Sequence, residues 1–157
     1  MNPTLPDVQT QLRAAMQHWA SGVTVVAARR GEEVRGMTAS SFTSVSLEPP
    51  LILFCVNTEA HMWGILEGAA AFSVNILAEG HERTSAHFSG SPIDGYDPLD
   101  GGEIPAVTEA LVTLYCSPHA IHEGGTHKIV VGRVTGVRIG DPARPMVYWN
   151  RGYRSIG

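Results

Sequence analysis

Hydroxyl side chains crowd one short segment beside an apolar region of the sequence. Six of the nine residues at 38–46 carry a hydroxyl, and the run lies between Met37 and the apolar segment 51–56. Since successive side chains of a strand face opposite ways, some of these hydroxyls point inward and need hydrogen-bond partners. Two interpretations follow: a solvent-facing strand rich in Ser and Thr, or the polar rim of a slot for a flat heteroaromatic ligand.

A second polar cluster contains three histidines within nine residues, His119, His122 and His127, together with Glu123. Its spacing does not match the helical His-Glu-x-x-His pattern of zinc proteases. Residues 124–125 are both Gly and predict a turn between strands, where histidines are commonly solvated. A metal site remains an alternative, but the simplest functional interpretation is that His127, at the entry of a strand, faces a ligand.

The segment 57–61, Asn-Thr-Glu-Ala-His, directly follows the apolar run. A strand-to-helix turn of this kind exposes free N–H groups and the positive end of a helix dipole, which together can bind a phosphate. The alternative is that Thr58 only caps the helix.

Several common nucleotide-binding and hydrolase motifs are absent from the sequence. There is no Gly-x-Gly-x-x-Gly after a strand, no Gly-Lys-Ser/Thr loop and no Gly-x-Ser-x-Gly elbow. The net charge is −4, and the eleven cations, all Arg except Lys128, are scattered. We therefore expect no nucleic-acid partner.

The apolar run 51–56 is far shorter than the roughly twenty residues of a membrane helix, and the first ten residues do not resemble a signal peptide. The two cysteines, Cys55 and Cys116, predict reduced thiols. A length of 157 residues predicts one domain, 1–157, and we expect it to be cytoplasmic, with no membrane partner.

The elements that position these residues are mostly strands. An apolar stripe at helical spacing predicts a first helix, with Val8, Leu12, Ala15, Met16 and Trp19. Strands are predicted at 23–28, 34–37, 51–56, 71–77, 110–116, 128–139 and 146–149, with 51–56 buried on both faces. Helices are predicted at 59–67 and at 79–88, the latter polar and superficial. The Gly-, Pro- and Asp-rich segment 89–105 predicts a long loop, acting as a lid, a binding loop or an interface arm.

At least six short strands without βαβ alternation predict a mainly β, antiparallel closed barrel with peripheral helices.

Six segments also resemble a known family. They are 21–26, 35–46, 49–51, 72–77, 125–132 and 148–153, they occur in the family's order, and the likeness covers about residues 12–154. On them the chain resembles the flavin reductase-like proteins, most closely the small reductase components of two-component flavin monooxygenases.

The resemblance implies a Greek-key, FMN-binding split β-barrel that forms a homodimer. It also implies an enzyme that takes hydride from NADH or NADPH, reduces FMN or FAD, and passes reduced flavin to a partner monooxygenase.

By position, the resemblance implies which side chains form the site. The isoalloxazine ring is lined by Thr38, Ala39, Ser40, Ser41 and Ser44. The ribityl chain and phosphate follow Cys55, Val56, Asn57 and His61, and that end is closed by Phe88. The nicotinamide side takes His127 as the catalytic residue, with Tyr153 nearby, and no metal is implied.

The sequence departs from the family at three positions. Thr126 replaces the Asp of the family's Gly-Asp-His, so no carboxylate orients His127, and Ala60 and Met62 replace hydroxyl residues near the phosphate. Two alternatives therefore stay open: a non-catalytic flavin or haem carrier on the same barrel, and a flavin-dependent enzyme acting on a bound small molecule under the 89–105 loop.

Overall fold

Ten strands and three helices follow one another through residues 5–157, the part of the chain that the computed structural model describes. The helices are α1 (Leu5–Met16), α2 (His61–Gly68) and α3 (Glu82–His87). The strands are β1 (Ser21–Gly22), β2 (Thr24–Arg30), β3 (Glu33–Ala39), β4 (Thr43–Leu47), β5 (Pro50–Asn57), β6 (Phe72–Ile76), β7 (Val112–Gly124), β8 (His127–Ile139), β9 (Val147–Trp149) and β10 (Gly152–Arg154). No helix in residues 5–157 is both long and apolar enough to cross a membrane.

Seven strands form one antiparallel sheet in the order β3-β2-β6-β7-β8-β5-β4. The β6-β7-β8 meander is thus inserted between the β2-β3 and β4-β5 hairpins, as in a Greek key. The remaining strands form a three-stranded sheet, β1-β9-β10. The mainly β, antiparallel fold is confirmed.

The barrel is split rather than closed, which corrects the expectation drawn from the strand pattern alone. The two edge strands of the large sheet, β3 and β4, do not pair with each other. Only residues 40–42 connect them, so the two edges are at most about 15 Å apart along the chain. The sheet therefore curls almost into a barrel and stays open between β3 and β4.

Strand β5 is buried on one face only, so the prediction of burial on both faces is wrong. Ile52, Phe54 and Val56 are buried, and the side chains between them are partly exposed. The inner face packs into the core, whereas Leu53 and Cys55 on the outer face are only partly buried. Because the outer face is apolar as well, composition alone was misleading.

The core lies on both sides of β2. Val26 and Ala28 belong to a cluster inside the barrel, which α2 fills at one end with Met62, Ile65 and Leu66. Val23 and Val25 face the other way and join Leu77, Val107 and Met146 in a second cluster. The helical spacing of the three α2 residues is what places them together on the core side.

The outer face of β6 is polar and buried, and it fixes the end of the 89–105 loop. Asn75 donates to the carbonyl oxygen of Val25 (2.9 Å) and to Ser73 Oγ (2.9 Å). Its own carbonyl oxygen accepts from the Val107 amide (3.0 Å) and from Thr113 Oγ1 (2.8 Å). Ser73 Oγ in turn donates to the Pro105 carbonyl oxygen (2.6 Å). We call Ser73, Asn75 and Thr113 the β6 polar cluster.

Helix α3 is shorter and more buried than the predicted helix at 79–88. It spans Glu82–His87, and both Thr84 and Ser85 are buried. Their hydroxyls bond to the Tyr96 and Tyr153 hydroxyls, each at 2.6 Å. Because these polar side chains find partners across the fold, the helix is not superficial.

Helix α1 does not bury its apolar stripe. Leu12 is 61% exposed and Trp19, just after the helix, is 70% exposed. The segment after α1 is attached to the β9-β10 turn, where the Asn150 amide donates to the Gln17 carbonyl oxygen (3.0 Å). That turn holds Asn150 and Arg151 at φ values of 50° and 60°, as a two-residue hairpin loop requires.

Candidate functional site

A groove of about 340 Å³ lies at the split in the barrel. One side comes from the end of β3 and the following turn, and the other from the end of β5 and the start of β8. Its lining consists of Met37, Thr38, Ala39, Ser40, Ser41, Cys55, Asn57, Ala60 and His127. Six of the predicted cofactor-binding residues and His127 therefore line one cavity, and its size is in the range of small-ligand pockets.

The free edge of β5 explains why the groove is polar on one side. Strand β4 pairs with β5 only as far as Leu53, so the edge of Cys55 has no neighbouring strand. Ser41 Oγ fills the place of that strand: it accepts from the Cys55 amide (2.9 Å) and donates to the Cys55 carbonyl oxygen (3.3 Å). The Ser41 hydroxyl therefore holds the groove wall in position.

The other hydroxyls of the run have different roles. Thr38 Oγ1 donates to the Ser85 carbonyl oxygen (2.7 Å), which ties β3 to α3. Ser40 lines the groove, is exposed, and makes no side-chain hydrogen bond within residues 5–157. The run is thus neither a wholly solvent-facing strand nor a row of free donors, because the Thr38 and Ser41 hydroxyls are bonded to the protein whereas Ser40 at the groove is not bonded within residues 5–157.

His127 stands at the first position of β8, directly opposite Asn57 of β5 in the sheet register. The predicted strand entry is confirmed. Thr126 Oγ1 lies 2.9 Å from His127 Nδ1, so a hydroxyl holds the ring where the family has a carboxylate. A hydroxyl can accept from or donate to the ring nitrogen, and it adds no negative charge to the site.

The remaining members of the histidine cluster lie elsewhere. His119, His122 and Glu123 are exposed along the end of β7, and Glu123 forms an ion pair with Lys128. Within residues 5–157, no three His, Cys, Asp or Glu side chains are grouped to hold a metal.

A second cavity, of about 540 Å³, adjoins the groove at Ala60. Arg30, Glu33, Thr58 and His61 are among its lining residues. The start of α2 opens here, and its N-cap residue, Ala60, makes no side-chain capping bond. Thr58 donates its hydroxyl to the Thr126 carbonyl oxygen (3.2 Å) instead of capping the helix, so the capping interpretation is wrong.

A third cavity, of about 300 Å³, lies on the other side of the 38–40 segment. It shares Thr38 and Ser40 with the groove and adds Val23, Ser85, Ser89, Tyr148 and Tyr153. The Tyr148 and Tyr153 rings meet edge to face with centroids 5.6 Å apart. Tyr153 therefore lines a cavity that adjoins the groove at Thr38 and Ser40, whereas His127 lines the groove itself.

Five predicted residues do not line the groove. Ser44 is exposed on β4, and the Val56 side chain is buried in the core. His61 lines the adjoining 540 Å³ cavity, and Tyr153 lines the 300 Å³ cavity. Phe88 packs over Gly36, where a Cβ would lie 2.6 Å from its ring, and lines a separate cavity of about 590 Å³. The part of these five in binding flavin or nicotinamide stays a prediction.

Several site residues escaped the sequence analysis. Thr126 was noted only as a departure, and Ser85, Arg30 and Glu33 were not singled out. The Glu33 carboxylate joins the site because the β2-β3 hairpin brings it to His61, 28 positions later, where Oε2 accepts from Nε2 at 2.7 Å. Contacts of that range leave no local signal in the sequence.

The family model of the flavin reductase-like domain matches residues 16–157. The chain belongs to this family, which confirms the resemblance.

Relatives with similar sequences carry names of flavin reductases or of monooxygenase reductase components. The chain is 49% identical over 144 residues to the reductase component of 4-hydroxyphenylacetate 3-monooxygenase from Thermus thermophilus, covering 92% of this chain and 94% of that protein. It is 41% identical over 138 residues to an NADH-dependent FAD reductase from Streptomyces globisporus, covering 82% and 75%.

Solved structures agree in fold. The NADH:FAD oxidoreductase of Streptomyces globisporus C-1027, in complex with NAD and FAD fragments, matches with a TM-score of 0.88 at 35% identity, covering 100% of this chain and 98% of that one. The styrene monooxygenase flavin reductase of Pseudomonas putida S12 matches with a TM-score of 0.85 at 26% identity, covering 94% and 97%.

Proposed function

We propose that this protein is an NAD(P)H-dependent flavin reductase. It takes hydride from NADH or NADPH, reduces FMN or FAD, and supplies the reduced flavin to a partner monooxygenase. The groove at the split of the barrel is the observation that carries this function, because it brings together six residues that the family resemblance assigns to the flavin. The relatives named as reductases of this kind support the same reaction.

The flavin ring would lie in the groove between the 38–41 segment and the end of β5. Ala39 leaves room for a flat ring to approach the backbone, and the unused Ser40 hydroxyl can bond the edge of the ring. Flavin and nicotinamide supply the hydride chemistry when bound, so the protein needs to bind, orient and exclude water. Ser41 serves by linking the two walls of the groove, and Thr38 by tying the β3 wall to α3.

The hydride donor would approach at the mouth of the groove, between His127 and the cavity of Tyr153. His127 orients the nicotinamide through a ring that Thr126 and the β8 strand hold in place. A neutral hydroxyl partner suits this role, because positioning two rings at reaction distance needs no proton transfer by the histidine.

Anaerobic mixing with NADH or NADPH and FMN tests the activity. The protein should bleach the flavin absorption far faster than a protein-free control does. A failure of both nucleotides to bleach either FMN or FAD would contradict the assignment, and a coloured protein inert to both nucleotides would identify a carrier.

His127→Ala separates catalysis from flavin binding. We expect at least about a tenfold loss of kcat, because reacting atoms lose their alignment, with the Kd for FMN within twofold of wild type. His122→Ala, exposed on the same hairpin, is the control. A matching loss of FMN affinity in His127→Ala would place this side chain on the flavin instead.

We also propose that the protein is a homodimer. The apolar stripe of α1 is exposed, and an isolated twelve-residue helix is only marginally stable in water. Leu47 of β4 and Ile139 of β8, at 88% and 77% exposure, add apolar surface. A second copy that covers α1 explains why the helix persists.

The oligomeric state of Leu12→Ser tests the dimer. Size-exclusion chromatography should show wild type and the matched α1 variant Gln11→Ser as dimers and Leu12→Ser shifted toward monomer. A monomeric wild type, or a Leu12→Ser variant that stays dimeric, would contradict the role of α1.

We place the reaction in the cytoplasm, with residues 1–157 acting as one domain. Cys55 and Cys116 are both free, as expected in a reducing compartment. The two core clusters share β2, which supports a single folding unit.

A further inference from the structure

The carboxylate of Glu33 lies at the entrance of the 540 Å³ cavity that adjoins the groove. A single oxygen, Oε2, accepts from His61 Nε2 at 2.7 Å and from Arg35 Nε at 3.1 Å. The Glu33 side chain is 44% exposed, so the contacts are within reach of solvent and of an incoming anion. His61, which lines the cavity, and Arg35, which lies outside its lining, are therefore already bonded to an anion of the protein itself.

The charge of this carboxylate is maintained at neutral pH. Hydrogen bonds from His61, first, and then from Arg35 hold the pKa of Glu33 below its usual value. If the flavin ring occupies the groove, its ribityl chain passes Asn57 and Ala60, and its phosphate reaches this cavity. A phosphate there would meet His61 and Arg30, but also the negative charge of Glu33.

We propose that Glu33 is a specificity-determining residue that weakens binding of the flavin phosphate by holding His61 in a hydrogen bond and by placing its own negative charge beside the phosphate. This inference rests on the proposed function and deepens it. FMN is then held mainly by its ring, with little gain over riboflavin, so that the flavin exchanges readily. Such exchange is what a protein that hands its product to a partner requires.

The opposite role for Glu33 would be to orient His61 toward the phosphate. The two roles predict opposite changes in FMN affinity when the Glu33 carboxylate is removed. Removing a competing charge strengthens FMN binding, whereas removing an orienting group weakens it. Neither changes the affinity for riboflavin, which lacks the phosphate.

The test compares Glu33→Gln with Glu32→Gln, which makes the same charge change at the neighbouring, exposed position outside the cavity. Flavin fluorescence quenching in low-salt buffer gives Kd values for FMN and for riboflavin. Glu33→Gln should bind FMN about three- to tenfold more tightly than wild type, the effect of removing one charge about 4 Å from another in water. Its riboflavin Kd, and both Kd values of Glu32→Gln, should stay within twofold of wild type.

Kinetics give an independent readout. With NADH in excess, Glu33→Gln should lower KM for FMN and leave kcat and KM for riboflavin unchanged. An FMN Kd that is unchanged or weaker in Glu33→Gln, or an equal gain in Glu32→Gln, would overturn the role of Glu33. If wild-type protein did not bind riboflavin at all, the proposed flavin site would be contradicted, and the role of Glu33 with it. Failure of the proposed function is therefore distinguishable from failure of the Glu33 role alone.

Discussion

The β6 polar cluster and the groove at the barrel split are both polar, yet Asn75 of the cluster and Ser40 of the groove have opposite hydrogen-bonding states. Asn75 is fully buried and uses both of its donors and both acceptor positions inside the protein. In the groove, the exposed Ser40 hydroxyl bonds to no side chain or backbone group of residues 5–157. Saturation rather than polarity separates a structural polar cluster from a binding surface, since a satisfied group has nothing to offer a ligand.

Replacing Asn75 and Asn57 in turn by leucine should show the largest difference between the two regions. Asn75→Leu leaves the Val107 amide and the Thr113 hydroxyl without their acceptor, so it should lower the free energy of unfolding by about 4 kcal/mol, about a thousandfold in the equilibrium. Asn57→Leu loses only the exposed bond from the Glu59 amide and should lower it by about 1 kcal/mol or less. Urea unfolding measures both, and equal losses would remove the distinction.

The two cysteines extend the comparison to a buried thiol and a groove-lining thiol, since Cys116 lies in the apolar core inside the barrel. Burial raises the pKa of Cys116 to about 12, so almost none of it is thiolate at neutral pH, whereas Cys55 is half-buried and lines the groove. Iodoacetamide should modify Cys55 at least about a hundredfold faster than Cys116 in the folded protein. Mass spectrometry of timed samples gives the two rates, and saturating FMN should slow only Cys55. Similar rates for both thiols, or no protection by FMN, would contradict the placement of Cys55.

A large side chain at Ser40 should fill the groove without disturbing the fold. Ser40→Trp should raise the Kd for FMN by at least about tenfold, because the ring loses its place, and leave the unfolding midpoint unchanged. Thr108→Trp, at an exposed position lining a different cavity, provides the control for adding an indole. Unaltered FMN affinity in Ser40→Trp would mean that the flavin binds elsewhere.

Removing the Ser41 hydroxyl should have the smallest effect. Ser41→Ala frees the amide and carbonyl of Cys55, but both can turn to water, so stability should fall by about 1 kcal/mol. FMN affinity should fall two- to fivefold as the wall of the groove loosens. A calorimetric titration measures the affinity, and an unchanged Kd would show that Ser41 does not hold the wall.

Local patterns predicted much of the fold. The strands at 23–28 and 71–77, the turn at 124–125 and the helix at 59–67 all follow from short-range residue types, and the structure has them within a few residues. The open edge of the barrel could not be predicted in this way. It depends on where β4 stops pairing with β5, and that end is fixed by three-dimensional register rather than by composition.

Six of the residues that line the groove were predictable where a family resemblance supplied their positions, and less so from chemistry alone. The run at 38–46 looks uniform in the sequence, but Thr38, Ser40 and Ser41 have three different roles. Asn75 and Asn57 likewise look alike until their partners, from distant strands, are known. Burial and partner number arise only after folding, so residue type cannot reveal them.

A crystal structure of the protein soaked with FMN tests the central claim most directly. The isoalloxazine ring should lie at the split of the barrel, between the 38–41 segment and the Cys55–Asn57 edge, with His127 at its open side. A ring bound instead in the 590 Å³ cavity beside Phe88, or a groove closed by its own side chains with no ring in it, would contradict the account.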